Sequence, residues 1–555
     1  MEQADPSFNL IVVSDLAPGS SGAPRARAVD KDSLDGLLRE IGPSIEVPGG
    51  GARTVLTFQD FKDFRPDRLA AKIPAIANLM EFRKRVQELA GGEGSIDAVR
   101  SSLQQLGAYP DLARALEGAL AARPSAPAAD PAAPAPKAPV PQGGVFDLVD
   151  ADATPAPETV SPEQAERMAA KLIDAVLGSS ASKPTPAALR AVAAQTEAGT
   201  WPMLNAVLHD ARFQELEGAW RGLRLLVRSM DFRAGVRLHV ISAPRAALLR
   251  TLREVALPLA DDLRSQGKTS CLLLDVTFDG SEEELVMIAE DAAARSLPVI
   301  ASAGLEVAVR ELAAGLGDAS QGAWMKLRSA PASRWLALAA NRFLLRPGYG
   351  AAGDAVKNMS FEEEWAFLPW GRPGWLLAAF VAASVAKTGW GADFSGRDAA
   401  SAVEPLPIRP AEGGTPLESD LSEAAANALG DAGLLPLACR RGHDRPFAAG
   451  TATVYKAGKD EPTTTLRYAL FAAPVAASME SLLGHIDMTC SIEEIAKTIG
   501  AALQLMGMTE SGSLYSATAA PVGGGRPAVA VRIKPQAGVL RGLPDLSFEV
   551  PIALH

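Results

Sequence analysis

Residues 270–303 read SCLLLDVTFDGSEEELVMIAEDAAARSLPVIASA, and this stretch decides the fold class. Ser270 to Phe278 is an apolar run typical of a buried strand. Glu282 to Arg295 reads as a helix whose acidic first turn suits the helix dipole. Leu297 to Ala303 reads as a second strand. This order predicts two parallel strands joined by a right-handed crossover helix, and therefore an α/β (mixed α+β) fold.

The residues nearest the N-terminus predict a smaller unit of strands and helices. Phe8 to Val13 (FNLIVV) and Thr54 to Phe58 (TVLTF) are typical of strands. Ser33 to Ile41 has helical spacing, with Ser33 as its expected N-cap. Pro74 either kinks the following helix or begins a new one. That helix carries one apolar stripe and is expected to end at a glycine pair; these residues are Ile76, Leu79, Phe82, Val86, Leu89, Gly91 and Gly92.

A proline- and alanine-rich stretch separates this unit from the rest of the chain. Arg123 to Gln142 reads RPSAPAADPAAPAPKAPVPQ, with seven prolines in twenty residues. Such a composition favours extended polyproline conformations, which span about 60 Å when twenty residues are fully extended. Val145 to Val149 (VFDLV) follows and is compatible with one short strand. Residues 123–160 are therefore predicted to be a disordered linker that contains a short docking strand.

The remaining chain predicts a larger α/β core followed by a β-rich end. A helix is expected from Ser161, and Gly235 to Ser242 alternates apolar residues as a strand does. After Gly396 the chain is rich in glycine, proline and short strands, the last two being AVAVRIK and LSFEVPIAL. Pro551 confines the final strand to a sheet edge or forces a bulge, and an edge is where another chain can add a strand. One further helix carries a packing seam, which is made of Phe213, Leu216, Trp220, Leu223 and Val227.

Composition and charge argue against several classes of protein. The 555 residues are enough for two to four domains, and the net charge of −11 without a basic block argues against nucleic-acid binding. Three widely separated cysteines indicate a reduced, intracellular protein. The acidic N-terminus is unlike a signal peptide. The longest apolar run, Trp375 to Ala386, is too short to cross a bilayer and predicts a buried helix. We expect a soluble cytoplasmic protein without direct membrane insertion.

No residue pattern in the sequence indicates an active site, a cofactor or a metal centre. The tripeptide GKT at 267–269 resembles the end of a phosphate-binding loop, but it precedes a strand instead of following one, which predicts a tight turn. Cys439 and His443 lack the two further ligands of a zinc site. Asp275 lies where α/β enzymes place catalytic acids, although capping a loop is the commoner role for such a residue. An enzyme with its site near Asp275 is kept as an alternative to a structural or assembly role.

The segment DFRPDRLAAKIPAIANLMEFRKRVQEL, residues 63–89, resembles a known family. It is similar to the small subunit of the type VI secretion contractile sheath, called TssB or VipA. That family carries F-x-D-F-x-P-x-x-L followed by an apolar helix with a late arginine. The phenylalanines and the proline are expected to set the entry into a packing helix. The matching residues are Phe61, Asp63, Phe64, Pro66, Leu69 and Arg83.

Several later segments resemble the large sheath subunit, TssC or VipB, and they occur in the family's order. FQELEGAWRGLRLLV matches a helix pattern F-x-x-L-E-x-x-W-R-G-L, and LPVIASA matches the strand after the crossover helix. RFLLRPGYG resembles R-x-L-L-R-x-P-Y-G, and FEEEWAFLPWGRPGWLLA with TGWGADFSG resembles F-x-E-E…W-G-N-P-A-Y. The chain departs from the family at Arg372, which replaces an asparagine. The matching residues are Phe213, Leu216, Glu217, Trp220, Arg221, Gly222, Leu223, Arg346, Tyr349, Gly350, Glu363, Glu364, Trp370, Gly371 and Trp390.

The resemblance implies a small and a large sheath subunit fused in one multidomain protomer. The expected division is a TssB-like region at 1–122, the linker at 123–160, a TssC-like core at 161–396 and a C-terminal part at 397–555. Family protomers stack into a helical tube around an inner tube, contract to drive it outward, and are disassembled by an AAA+ ATPase. The implied partners are further copies of the chain, the inner-tube protein, baseplate components and that ATPase. No cofactor and no catalytic residue is implied.

Family sheaths are also meshed by strands exchanged between protomers, which is a form of β-augmentation. The fold would then contain a sheet completed by a strand from another copy. The sequence leaves open whether these strands pair within one protomer or between protomers. A sheath-like adaptor that does not contract is the second alternative. The candidate exchange residues are Val145, Phe146, Leu148, Phe548, Val550 and Ile552.

Overall fold

A computed structural model gives the fold, and every structural statement below concerns the residues it describes. These are residues 8–20, 22–49, 53–104, 185–279, 283–306, 323–351, 353–397, 403–410, 413–456, 462–487, 490–509, 512–522, 527–537, 540 and 542–552. The predicted helix from Ser161 and the predicted strand with Val145, Phe146 and Leu148 lie outside them. We name residues 8–104 the N-terminal region, 185–456 the core region and 462–552 the C-terminal region.

The three regions contain the following elements. The N-terminal region has β1 (Phe8–Ser14), β2 (Ala26–Val29), α1 (Leu34–Ile41), β3 (Ser44–Pro48), β4 (Arg53–Thr57), α2 (Pro66–Lys72), α3 (Pro74–Gly91) and α4 (Ile96–Gln104). The core region has α5 (Pro186–Leu208), α6 (Ala211–Ser229), β5 (Val236–Ser242), α7 (Leu248–Thr251), a π-helical stretch (Leu252–Ala256), α8 (Leu257–Ser265), β6 (Thr269–Phe278), α9 (Glu284–Ala293), β7 (Val299–Ala303), α10 (Ala323–Ser329), β8 (Leu336–Ala340), β9 (Phe343–Leu344), β10 (Trp370–Gly371), α11 (Pro373–Thr388), α12 (Glu423–Asp431), β11 (Leu435–Ala438) and β12 (Phe447–Ala448). The C-terminal region has α13 (Leu466–Leu483), α14 (Ile492–Met506), β13 (Met508–Thr509), β14 (Gly512–Ser513), β15 (Tyr515–Pro521), β16 (Ala528–Pro535) and β17 (Leu546–Pro551).

One eight-stranded sheet, built from both the N-terminal and the core region, organises the fold. Its order is β12-β11-β8-β7-β6-β1-β5-β2. The strands β6 and β7 pair in parallel, as the quoted 270–303 stretch predicts. β1 lies between β5 and β6 and is parallel to both. The N-terminal region therefore contributes a central strand to the sheet of the core region.

The position of β1 follows from its apolar sequence. All seven of its residues are buried, as expected for a strand covered on both faces of a parallel sheet. Leu10 and Val12 pack with α6 and α11 on one face, whereas Ile11 and Val13 pack with α7, α8 and α9 on the other. Successive side chains of a strand point to opposite faces, so this short strand joins two separate hydrophobic clusters.

The C-terminal region is a smaller unit of two helices and a three-stranded antiparallel sheet. The sheet order is β15-β16-β17, and the alternating residues of β16 bury one face against α13 and α14. The final strand lies at the edge of this sheet, which is one of the two positions, an edge or a bulge, that Pro551 allows. The apolar run Trp375 to Ala386 forms most of α11 and is buried nearly all around, as expected for an internal helix.

Most of the glycine and proline positions that predict helix ends and turns are confirmed. Pro74 begins α3 and does not kink it, and Gly92 ends that helix in the left-handed conformation at φ 84°. Gly267 turns the chain before β6, so the GKT tripeptide is a tight turn. The expected capping role of Ser33 is wrong, because its hydroxyl interacts with Asp30 instead of with the first amides of α1.

Candidate functional site at the junction of the N-terminal and core regions

Aromatic side chains from both regions meet where the N-terminal region packs on α6. The rings of Phe64 and Phe213 lie 6.0 Å apart, and those of Phe61 and Trp220 lie 6.2 Å apart, each pair edge to face. The indole Nε1 of Trp220 donates a hydrogen bond of 3.0 Å to the Leu16 carbonyl, just after β1. Edge-to-face packing and a satisfied indole are favourable for buried aromatic residues. Thus, residues from both sequence motifs form one continuous contact.

The other N-terminal motif residues shape the chain that carries these rings. The Asp63 carboxylate accepts hydrogen bonds from the Gln59 and Asp60 amides at 2.8 and 3.2 Å and caps a 3-10 turn. Pro66 occupies the first turn of α2, where its missing N–H leaves no donor unpaired. Leu69 on the next turn is fully buried. Capping and proline placement therefore orient the entry into α2.

A buried cluster of charges lies at the centre of the junction, within the core region. The Arg346 guanidinium binds Glu217 on α6, with Nε to Oε1 at 2.8 Å, and Glu363, with Nη1 to Oε2 at 2.6 Å. Arg221, one helical turn after Glu217, donates to the same Glu217 Oε1 at 2.7 Å and to the Tyr349 hydroxyl at 3.2 Å. The side chains of Glu217 and Glu363 are 0% exposed and that of Arg346 is 4% exposed. We name these five residues the charge cluster.

The charge cluster compensates its own burial. Burial alone would raise the pKa of Glu217, but Arg346 and Arg221 outweigh it, so this pKa lies below its usual value. Burial alone would lower the pKa of the Arg346 guanidinium. Its neighbours Glu217, Tyr349 and Glu363 outweigh burial, so this pKa lies above its usual value. Burial raises the pKa of the Tyr349 hydroxyl, although the two arginines oppose that rise. Two guanidinium groups thus neutralise two carboxylates in an interior where water does not solvate them.

Arginines of the N-terminal region extend this network across the junction. Arg65 Nη1 lies 2.6 Å from Asp354 Oδ2, and its guanidinium stacks 5.6 Å from the centre of the Tyr349 ring. Arg83 Nη2 lies 2.9 Å from Glu197 Oε2, and Arg83 Nη1 donates to the Asn358 carbonyl at 2.6 Å. The late arginine of the α3 motif is therefore an inter-region contact.

Three of the motif glycines lie at close approaches or in special backbone conformations. A Cβ at Gly222 would lie 2.5 Å from the Trp375 indole, and one at Gly371 would lie 2.5 Å from the Phe343 ring. Gly350 has φ 142°, which side-chain-bearing residues rarely adopt. Gly371 belongs with Trp370 to β10, which pairs with β9 just before Arg346. These glycines allow α6, α11 and the segment of Arg346 to pack closely.

The remaining predicted residues lie at or beyond the edges of the junction. Leu216 and Leu223 are buried on the α6 seam. Glu364 is exposed and precedes a 3-10 turn. Trp390 packs on Phe471 and Tyr515 and joins the core region to the C-terminal region. The candidate exchange residues Phe548, Val550 and Ile552 lie on or next to β17: Val550 and Ile552 are buried, Phe548 is half-buried, and the strand pairs with β16.

A separate cleft of about 710 Å³ opens at the carboxyl ends of the parallel strands. Asp275, the residue of the enzyme alternative, lies in it at an irregularity of β6. Its Oδ2 accepts a hydrogen bond from the Ser14 hydroxyl at 2.7 Å and lies 3.3 Å from Arg372 Nη1. The expected role as a loop cap is wrong, because the partners of this carboxylate are side chains of β1 and of the residue before α11.

Some residues of the junction were not predicted from the sequence. Arg65, Glu197 and Asp354 make inter-element ion pairs at the junction, and Arg372 makes one in the cleft. Arg65 lies inside the quoted segment, between Phe64 and Pro66, so its position in the motif could have indicated a role at this junction. Arg372 was noted only as a departure from the family, whereas Glu197 and Asp354 lie outside the quoted motifs; the partners of all three are distant in sequence.

The described part of the chain holds neither a cluster of metal ligands nor a membrane-spanning helix. No group of three or more histidine, cysteine, aspartate or glutamate side chains in this part of the chain is arranged to hold a metal ion. No helix in it is both long and apolar enough to span a membrane.

Comparisons with known proteins agree with the geometry. Residues 2–121 match the family model described as type VI secretion system VipA. Residues 192–260 and 270–455 match the VipB family model, described as the EvpB tail sheath N-terminal domain. The type VI secretion system sheath protein TssC1 of Pseudomonas aeruginosa is 25% identical over 350 residues, which cover 56% of this chain and 68% of that protein. The chain therefore belongs to the contractile-sheath family of type VI secretion, as a structural protein in which a VipA-like region and a VipB-like region are fused.

Proposed function

We propose that one copy of this chain is one complete sheath protomer, which polymerises into a helical tube around an inner-tube protein. The observation that carries the proposal is the position of β1 in the middle of the core sheet, paired on both sides. A strand buried between β5 and β6 is a permanent structural part, because its removal would expose two unpaired strand edges. The fusion would give a one-to-one ratio of the two regions in every protomer.

The same proposal assigns the remaining roles. The expected division at 122/123, 160/161 and 396/397 separates the VipA-like part, the linker, the VipB-like core and the C-terminal part. Baseplate components and an AAA+ ATPase are the further partners proposed, and the cytoplasm is the proposed location. Movement of the sheath would come from two packings of the same subunits that differ in free energy, which requires no catalytic residue.

We also propose that β17 is the edge at which copies are linked by strand addition. The other edge of that sheet, β15, is occupied by the side-chain amide of Gln504. Its Nε2 donates to the Tyr515 carbonyl at 3.3 Å, and its Oε1 accepts from the Ala517 amide at 2.9 Å. Gln504 thus binds β15 as a neighbouring strand would, which leaves β17 as the edge that can accept another chain.

The backbone of β17 is suited to this role. The Ile552 amide donates inward to the Pro527 carbonyl at 2.8 Å. Because amides alternate in direction along a strand, those of Glu549 and Ser547 face outward, and Pro551, which has no N–H, also stands at an outward position. An added strand would therefore use the Glu549 and Ser547 amides.

Electron microscopy of the purified chain, alone and with the neighbouring secretion proteins co-expressed, tests the proposal. Negative staining is expected to show tubes, and particles that remain strictly monomeric under all these conditions would contradict it.

Glu549→Pro removes one outward amide of β17 and is expected to abolish tubes while leaving the melting temperature within a few degrees. Glu549→Ala keeps that amide and is the matched control. Tubes of normal length from Glu549→Pro would refute strand addition at this edge but not the sheath role.

A further inference from the structure

The cleft at the carboxyl ends of the sheet has the position of a binding site. β1 lies between β5 and β6, so the chain crosses from one side of β1 to the other between these strands. Open α/β sheets bind their ligands in the crevice at such a switch point. Here the crevice is lined by Ser14 and Asp15 at the end of β1 and by Asp275 of β6. Nothing in the sheath role described above uses it.

The cleft carries an excess of negative charge. Arg372 Nη1 lies 3.3 Å from Asp275 Oδ2, and the carboxylates of Asp15 and Glu215 line the same cleft. The two other arginines that line the cleft are already paired: Arg245 with Glu284 and Arg342 with Glu418. Beyond these two pairs, the described lining residues place four carboxylates, those of Asp15, Glu215, Asp275 and Glu306, against the one guanidinium of Arg372, and this excess of negative charge favours a cationic ligand.

A buried carboxylate oxygen also lacks a donor in this cleft. The Asp275 side chain is 1% exposed, and within the described residues its Oδ1 has no hydrogen-bond partner. The Oδ1 of Asp15 is likewise buried and without a partner there. Buried carboxylate oxygens are normally paired, so both point to a ligand that donates hydrogen bonds.

The turn between β11 and β12 carries a positively charged surface, opposite in sign to the cleft. Its sequence is RRGHDR, and the side chains of Arg440, Arg441 and Arg445 are exposed. None of the three forms an ion pair within the described part of the chain. Guanidinium groups donate in the fork geometry that carboxylates accept best. We name this turn, residues 440–445, the arginine turn.

Resting on the proposed polymer, we infer that the cleft of one copy binds the arginine turn of a second copy. The acidic cleft and the basic turn are different patches of the same molecule. Contacts between different patches are heterologous, and they generate open helical assemblies when the rotation does not close a ring. A sheath tube is an assembly of this kind, so the contact would contribute an arginine of one copy to a site of the next.

A charge exchange between two exposed residues tests the inference on the full chain. Glu215→Lys alters the cleft and Arg441→Glu alters the turn, and neither residue forms an ion pair within the described part of its own chain. Each single variant is expected to reduce the fraction of protein in tubes about tenfold, since coupled charge pairs of this kind contribute roughly that factor. The double variant carries both changes at every contact and is expected to regain tubes to within about twofold of the original chain.

Lys31→Glu, in an exposed turn, makes the same change in net charge as Arg441→Glu and is expected to leave tubes unchanged. Thermal melting of each variant checks folding. Normal tubes from both single variants would overturn the inference while the sheath role stands. Loss in Glu215→Lys without recovery in the double variant would overturn the assignment to the arginine turn. If the original chain forms no tubes, the proposed function fails, and the inference falls with it.

Discussion

At the scale of single residues, the charge cluster shows how distant motif positions act together. Glu217 and Arg221 come from α6, whereas Arg346 and Glu363 come from the chain around β9 and β10. Each charge is stable in the interior only because the others are present, since an isolated buried charge has a large desolvation cost. We therefore expect these residues to be sensitive to substitution.

Replacing Arg346 tests the strength of this coupling. Arg346→Met keeps the apolar length but leaves Glu217 and Glu363 buried with a single remaining arginine. The free energy of unfolding is expected to fall by about 3–5 kcal/mol, measured by urea denaturation with tryptophan fluorescence. Arg228→Met breaks the exposed pair with Glu404 and is expected to cost about 0–1 kcal/mol. Equal losses in the two variants would contradict the role of burial.

The pH dependence of stability tests the state of Glu217. Its folded-state pKa lies below the ordinary value of 4.5, so ionised Glu217 stabilises the fold above that pH. This stabilisation is lost as the pH falls from 4.5 through the lowered pKa, because over that range the unfolded chain binds a proton that the folded chain does not. The difference in unfolding free energy between the original chain and Glu217→Gln should thus be largest near neutral pH and shrink below pH 4.5. A difference that stays constant between pH 7 and pH 3 would refute it.

At the scale of secondary structure, apolar patterns and special residues decide the elements and their approach. Prolines in the first turn begin α2, α3 and α11, and the continuous apolar run of β1 predicts a strand buried on both faces. The seam on α6 packs against the N-terminal region, whereas the opposite side of α6 packs against α11, where Gly222 lets the Trp375 indole lie directly on the α6 backbone. Close packing of two helices thus depends on one missing side chain.

Gly222→Ala tests this helix contact. The added Cβ would lie 2.5 Å from the Trp375 ring, so the indole must shift, and we expect a loss of about 1–3 kcal/mol in unfolding free energy. Gly199→Ala is a matched control in α5, where a Cβ would have no neighbour within 4 Å. That control is expected to be neutral or stabilising by up to about 1 kcal/mol, because alanine favours a helix. A Gly222→Ala chain as stable as the original would contradict the packing argument.

At the scale of the whole molecule, the two fused regions share one sheet and one hydrophobic core. β1 pairs with β5 and β6, more than two hundred residues away along the chain. The aromatic contacts and the ion pairs of Arg65 and Arg83 add to this junction. The proline- and alanine-rich stretch therefore connects parts that are already held together, and its physical effect is a high local concentration of one region for the other.

Cutting this stretch tests how the two regions associate. A protease site placed within residues 123–142 and then cleaved should leave two fragments that still elute together in size-exclusion chromatography. The reason is that separation would unpair a central strand and expose the apolar surface of β1. In a cleaved chain with Val12→Asp, the buried charge within β1 is expected to release the fragments. Fragments that separate immediately without that substitution would refute the single-protomer proposal.

The sequence alone determined the fold class, the parallel pair at 270–303, the buried α11 and the family, and it limited the last strand to a sheet edge or a bulge. These follow from local periodicity, proline placement and ordered motifs, which do not depend on distant partners. The sequence did not show that β1 lies between β5 and β6. It also did not show that Glu217, Arg346 and Glu363 meet, or that Asp275 pairs with Arg372. Those contacts join residues far apart in the chain, and a given residue type has many compatible partners until the sheet is assembled. Only the tertiary structure decided them, because burial on both faces of one shared sheet selects which strand and which charges meet.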